Sequence, residues 1–219
     1  MKYAINKRFE TRVERTPRVL EIAEAFGLGL DAKEFIVFDN LELDVEQGDV
    51  VYITGESGGG KSLLLHELRA QMEAGGMTTV SIDDIELLDK PLIEQIGQTT
   101  NEGTNFMGMV GINDAYIWLR KPAQLSDGQR YRFRLAKAIE SGAKAWFADE
   151  FLAVLDRTVA VNVAFNMQKI ARTIGATLVV ATTHSDMIDD LAPTLRINKK
   201  YREKVEVIRA PEGYKQCSN

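Results

Sequence analysis

VVYITGESGGGKSLLLHELRAQM, residues 50–72, is the stretch on which the fold turns. Val50, Val51, Tyr52 and Ile53 form a short β-branched and aromatic run that reads as a buried strand. Glycines at 55, 58, 59 and 60 interrupt it, and Leu64, Leu65, Leu68 and Met72 then recur at helical spacing. Strand, glycine-rich loop and helix in that order are what a phosphate-binding loop requires. The glycines let successive backbone NH groups turn inward around phosphate oxygens, and the helix opening near Lys61 adds the positive end of its dipole. Gly55, Ser57, Gly58, Gly59, Gly60, Lys61, Ser62 and Leu63 are the expected nucleotide-binding set. Lys61 would reach the β and γ phosphates, and the Ser62 hydroxyl would meet Mg²⁺, a hard cation that prefers oxygen ligands.

Outward from this loop, apolar runs at Val80 to Ile82, Ala145 to Ala148 and Leu178 to Ala181 alternate with helical segments, as a mostly parallel sheet needs. The fold class is α/β. Upstream, TPRVLEIAEAFG (16–27) has Thr16 as cap, Pro17 at the first helical position and Gly27 as stop, which predicts a short helix. EFIVFDNLELDVEQGDVVYIT (34–54) carries breaks at Asp39-Asn40 and Gln47-Gly48 and predicts two or three partly antiparallel strands. The expected organisation is a basic N-terminal arm and helix over 1–33, a nucleotide-binding domain over 34–198 with a helical subdomain at about 96–141, and a basic C-terminal strand and tail over 199–219.

Composition narrows the classes further. At 219 residues and 45% hydrophobic content the chain can bury a full core as one domain. No apolar run approaches the roughly 20 residues of a membrane span, and the charged start lacks the apolar centre of a secretory signal. A cytoplasmic location without direct membrane insertion is expected. Cys217 is the lone cysteine, which excludes an internal disulfide or a cysteine metal cage. The net charge of −5 argues against general nucleic-acid affinity. Basic residues nevertheless gather at Lys2, Lys7, Arg8, Arg12, Arg15 and Arg18, and again at Lys199, Lys200, Arg202, Lys204 and Arg209; such runs are ordinarily solvated faces.

AKAWFADEFLAVLD (143–156) is an apolar strand ending in Asp149 and Glu150. Two carboxylates at the carboxyl end of a parallel strand lie beside a nucleotide crevice, whereas an exposed acidic loop would need no partner; the phosphate loop favours the first. Asp149 is the expected partner of Mg²⁺ through water, and Glu150 the general base that polarises the attacking water. LSDGQRYRFRLAKAI (125–139) opens as a polar turn and continues as a helix, so the Ser126 hydroxyl and free NH groups around Gly128 and Gln129 make a second anion site.

LSDGQ resembles the signature motif of ABC ATPases, with a Walker A loop, signature and Walker B strand in that family's order over about residues 34–190. The resemblance implies the ABC ATPase fold, a head-to-tail homodimer that buries two ATP, and Ser126, Gly128 and Gln129 completing the other copy's site. It implies that Asp156 in AVLD is the D-loop residue coupling the two sites, and that His184, ending VVATTH, contacts the γ phosphate. Gln95 in PLIEQIG is the expected Q-loop glutamine touching Mg²⁺ and water, with Gln98 in competition; His66 is read as an ordinary packing or surface residue. Asp127 stands where glycine is common and Phe151 where proline is usual. Phe26 and Phe35 are the candidates for stacking on adenine.

The insert 96–124 is short, with two helices expected on either side of Gly111. That compactness resembles non-transport members such as the bacterial excision-repair ATPases. QLSDGQRYRFRLA, ADEF and ATTH are similar to soluble ABC ATPases sometimes fused to a predicted acetyltransferase domain. The resemblance implies an ATPase whose cycle acts on nucleic acid or on a partner enzyme, acetyltransferase-like in kind. The alternative is the ATP-binding subunit of a membrane transporter.

Overall fold

The computed structural model describes residues 1–31, 33–183, 186–200 and 204–211. It divides into two compact units, residues 2–44 and Met1 with 45–219. A boundary at residue 33 is what the sequence suggests; the chain breaks at 44/45 instead, because the second strand pairs with the first along its whole length.

In the first unit, β1 (Lys2–Thr11) and β2 (Lys33–Asp44) are antiparallel, and α1 (Pro17–Phe26) lies between them in sequence. The basic arm is therefore a strand, with Tyr3 and Ile5 buried between exposed neighbours. Asp39-Asn40 does not end β2. Asn40 takes φ 47°, its NH donates to the Asn6 side chain at 2.6 Å, and the register shifts beside it, so the break becomes a bulge. α1 has the caps its sequence promises. The Thr16 hydroxyl accepts from the Val19 NH, Pro17 opens the helix, and Gly27 at φ 62° closes it.

The second unit is built on a six-stranded sheet in the order β4-β5-β6-β3-β7-β8. β3 (Val50–Thr54) sits centrally, parallel to β6 (Thr177–Ala181) and β7 (Leu195–Asn198). β4 (Thr79–Ser81) and β5 (Ala145–Ala148) extend it in parallel, and β8 (Glu206–Arg209) closes the other edge antiparallel to β7. Alternate strand residues face opposite layers. Val50, Tyr52, Trp146, Ala148, Leu178 and Val180 pack with Phe133 and Leu135 of α5 (Asp127–Glu140) and Val163 and Met167 of α6 (Arg157–Ile174). On α2 (Lys61–Ala74), Leu64, Leu65, Leu68 and Met72 are buried outside that cluster, and the helix lies against β3, β4 and β6. The insert holds α3 (Thr100–Met109) and α4 (Ala115–Trp118), with Gly111 at φ 76° between them. α7 (Ile188–Leu191) precedes β7.

The C-terminal basic cluster is partly built into the fold rather than forming a solvated face. Lys199 is 5% exposed. Arg209 pairs at 3.2 Å with Asp49, which is wholly buried and also takes the Thr194 hydroxyl at 2.8 Å and the Glu46 NH at 2.8 Å. A buried carboxylate is tolerable only with such partners. Arg202 and Cys217 lie outside the described residues.

Candidate nucleotide site

The glycine loop leaves β3 at its carboxyl end and enters α2. Gly55, Gly58 and Gly60 adopt φ of 141°, 73° and 94°, values that side chains resist. Gly55 also has no room for one, since a Cβ there would lie 1.8 Å from the Lys199 carbonyl oxygen, and one at Gly59 would lie 2.8 Å from it. The tail after β7 thus presses the loop from below. Lys61 is 9% exposed and curls into the loop, where its ammonium donates to the carbonyls of Gly55 at 3.0 Å and Glu56 at 2.8 Å. α2 begins at Gly60 with no side-chain cap, unlike α1, α3, α5 and α6, which use Thr16, Thr99, Ser126 and Asp156. Uncapped NH groups, left-handed glycines and a lysine inside the loop fit a phosphate chain. Ser62 is exposed at the head of α2 and Leu63 half-buried behind it.

At the carboxyl end of β5 the chain makes a strained turn. Glu150 has φ 44° and Leu152 φ 62°, left-handed values that are costly without glycine. Asp149 is half-buried and Glu150 exposed, so the second carboxylate faces solvent. The Asp149 NH donates to the Asp83 carboxylate at 2.7 Å, and the Glu150 NH to the Asp149 carboxylate at 3.0 Å. Burial, with the charges of Asp149 and Asp84 added, pushes the Asp83 carboxyl above its usual range; the Asp149 NH and Arg134 pull the other way. Asp83 escapes a reading built on motifs alone. Its signal is position: it follows β4, the neighbour of β5, and so stands at the same carboxyl edge of the sheet.

The Ser126 turn is a reciprocal cap. The Ser126 hydroxyl accepts from the Gln129 NH at 3.2 Å, and the Gln129 side-chain oxygen accepts from the Ser126 NH at 3.0 Å. The charge of Asp127 is turned along the helix to Arg130, which also donates to the Leu125 carbonyl at 2.7 Å. Ser126, Gly128, Gln129 and Asp156 line one open hollow with Arg132, Val154 and Leu155. Gly128 lies against the Leu155 side chain, whose Cδ2 would be 2.9 Å from a Cβ there and would have to move aside. Asp156 caps α6 by accepting from the Val159 NH at 3.1 Å. The signature turn and the D-loop segment expected from the sequence are therefore neighbours.

One expected participant, Gln95, is engaged elsewhere. Gln95 spends its amide on the preceding loop: its oxygen accepts from the Leu88 NH at 2.8 Å, and its nitrogen donates to the carbonyls of Leu88 at 2.9 Å and Lys90 at 2.6 Å. With its donors and acceptor so engaged, Gln95 holds a turn instead of presenting itself to a metal or a water. Gln98 is exposed, and only its backbone is engaged here, donating to the Glu102 carboxylate at 2.9 Å. His184 lies outside the described residues. His66 is exposed on α2, in keeping with a surface role. Phe26 and Phe35 both belong to the 2–44 unit.

Comparison with known proteins places this geometry. The ABC transporter family model matches residues 38–103. The methionine import ATP-binding protein MetN of Histophilus somni is 24% identical over 221 residues, covering 84% of this chain and 62% of that protein. The MetN of Xylella fastidiosa is 28% identical over 193 residues, covering 73% of this chain and 58% of that protein. The chain thus spans less than two thirds of these relatives. Among solved structures, a dimeric ATP-binding cassette in a post-hydrolysis state bound to ADP and Pi superposes with a TM-score of 0.67 at 17% identity, over 96% of this chain and all of that one. An ATP-binding cassette of an ABC transporter in its ADP conformation gives 0.63 at 15% identity, covering 83% of this chain and 88% of that one. The architecture is the ABC ATPase fold: a mostly parallel core sheet, a small antiparallel sheet and helices. Among the described residues no helix is long and apolar enough to cross a membrane.

Proposed function

We propose that this chain, an ABC-class P-loop ATPase domain, binds Mg-ATP between the glycine loop of one copy and the Ser126 turn of a second, hydrolyses it, and serves as the ATP-binding subunit of a membrane transporter. The observation that carries the catalytic part is that the uncapped α2 loop holding Lys61 and the exposed Glu150 both follow the carboxyl ends of parallel strands, β3 and β5, of one sheet. The transporter part is supported by the MetN relatives, which are ATP-binding proteins of methionine import.

The steps follow from the side chains. Lys61 shifts from the carbonyls of its own loop to neutralise phosphate charge, and the free NH groups of α2 cradle the same oxygens. Ser62 would hold Mg²⁺ directly and Asp149 through water. When bound, the ion neutralises charge that develops on the transferred phosphoryl group. Glu150, free of any side-chain duty in the turn, polarises the attacking water. The Ser126 hydroxyl proton and the Gly128 NH would face the nucleotide of the other copy, with Gln129 holding the turn through the cap and Asp156 beside them. His184 is proposed to touch the γ phosphate on the strength of its motif alone.

A second reading, a dimer acting on nucleic acid or a partner protein, has one feature in its favour: the insert is compact, with helices of 10 and 4 residues. The relatives do not support it, and none of them points to an acetyltransferase-type partner. Turnover should fall about 100-fold or more in Glu150→Gln, as expected when a general base is lost, with nucleotide binding retained; Lys61→Ala should lose binding as well. A Glu150→Gln protein with wild-type turnover contradicts the hydrolytic reading. Capture of the chain with a detergent-solubilised integral membrane protein supports the transporter role, whereas ATPase stimulation by DNA or RNA that fades with salt supports the other.

A further inference from the structure

The turn that carries Glu150 packs two left-handed residues, Glu150 at φ 44° and Leu152 at φ 62°, into three positions. Such conformations persist only where the surroundings over-determine them, and here four successive NH groups are held. Asp149 NH meets Asp83 at 2.7 Å, Glu150 NH meets Asp149 at 3.0 Å, Phe151 NH meets the Ala181 carbonyl at 2.9 Å, and Leu152 NH meets the Tyr131 hydroxyl at 3.4 Å. Two of these anchors, Asp83 just after β4 and Ala181 at the end of β6, are fixed to the sheet. Tyr131 alone among the four acceptors belongs to α5, the helix that starts at Ser126. It sits between the signature turn and the general base.

Several features suit the phenol to a link. Tyr131 is 7% exposed, and its ring is part of the main apolar cluster, so its hydroxyl cannot swing to solvent. Burial pushes the phenol well above its usual pKa, which keeps it neutral and able to accept an NH without bringing a charge beside Glu150. Its contact is the longest of the four, close to the limit for a hydrogen bond, and therefore the one with room to tighten if α5 advances. Gly128, one turn earlier on the same helix, rides against Leu155 just beyond the strained segment, so helix and turn are in register at two points.

We propose that Tyr131 is a positioning residue: its hydroxyl ties the Ser126 helix to the Glu150 turn, so that a nucleotide engaging the Ser126 turn from a second copy sets the general base. The inference rests on the hydrolytic dimer proposed above. It makes the signature helix a sensor as well as a clamp, with Leu152 as the point where the signal enters the turn.

The test is Tyr131→Phe, which removes one oxygen and keeps the ring. Loss of one neutral hydrogen bond in the active arrangement predicts a fall in kcat of about 3- to 10-fold, with KM for ATP unchanged because the Lys61 loop is untouched. Amide exchange over residues 149–153 should rise in the variant. Wild-type kcat, or a lowered kcat with unchanged exchange at 149–153, overturns the proposal. Should the variant not fold, exchange in the wild type decides: Mg-AMPPNP should protect the Leu152 amide, and equal exchange with and without it overturns the link. A wild-type chain with no turnover sinks the hydrolytic reading, a failure seen without any Tyr131 variant.

Discussion

At the scale of the residue, the glycine loop is under two separate constraints, and they can be told apart. Gly58 has a left-handed φ of 73° but open space around it, so a methyl group there meets only backbone strain. Gly55 combines φ 141° with a backbone oxygen 1.8 Å from where its Cβ would be. Gly58→Ala should lower the unfolding free energy by about 1 kcal/mol, and Gly55→Ala by about 3 kcal/mol or more, read by urea denaturation. Equal costs would mean that the Lys199 carbonyl is not pressed against the loop. The placement of Lys61, Ser62, Asp149 and Glu150 beyond the carboxyl ends of β3 and β5 was legible because each follows a buried strand or glycine run that dictates where it emerges. Gln95 was not, because its amide closes a loop on Leu88 and Lys90, and motif spacing carries no information about which local backbone groups compete for a side chain.

At the scale of the element, helices with both ends written in sequence were read closely. Thr16, Pro17 and Gly27 delimit α1 as expected, and the apolar runs at 145–148 and 178–181 became β5 and most of β6. β1 was hidden because only Tyr3 and Ile5 are buried along it, between exposed Lys2, Ala4, Asn6 and Arg8, too short an alternation to mark a strand among the basic residues. β7 depends on β3, a partner far away in sequence, which short-range patterns cannot show, whereas the strand expected near the C-terminus is β8, paired to β7 close by in sequence. That distant pairing can be tested. Asp49, just before β3, gathers Thr194, just before β7, and Arg209 from β8. Asp49→Ala leaves a hydroxyl, an NH and a partly buried guanidinium without this partner. It should cost about 3 kcal/mol, with amide exchange at 206–209 rising first. A loss under about 0.5 kcal/mol, the level of an ordinary surface substitution, would show that the Asp49 cluster does not hold the sheet edge.

At the scale of the whole molecule, the glycine loop and the Ser126 turn are the two anion sites proposed on one chain, and the proposed function requires that they meet between copies. Within one chain, Ser126, Gly128 and Gln129 share their hollow with Asp156 and Arg132, whereas Lys61 closes on Gly55 and Glu56. The most direct measurement is sedimentation of Glu150→Gln with and without Mg-ATP. The account predicts a shift from the 24.5 kDa of one chain to twice that mass on adding Mg-ATP, abolished by a further Ser126→Arg substitution. A species of one-chain mass at saturating Mg-ATP, or a dimer indifferent to Ser126→Arg, would contradict it.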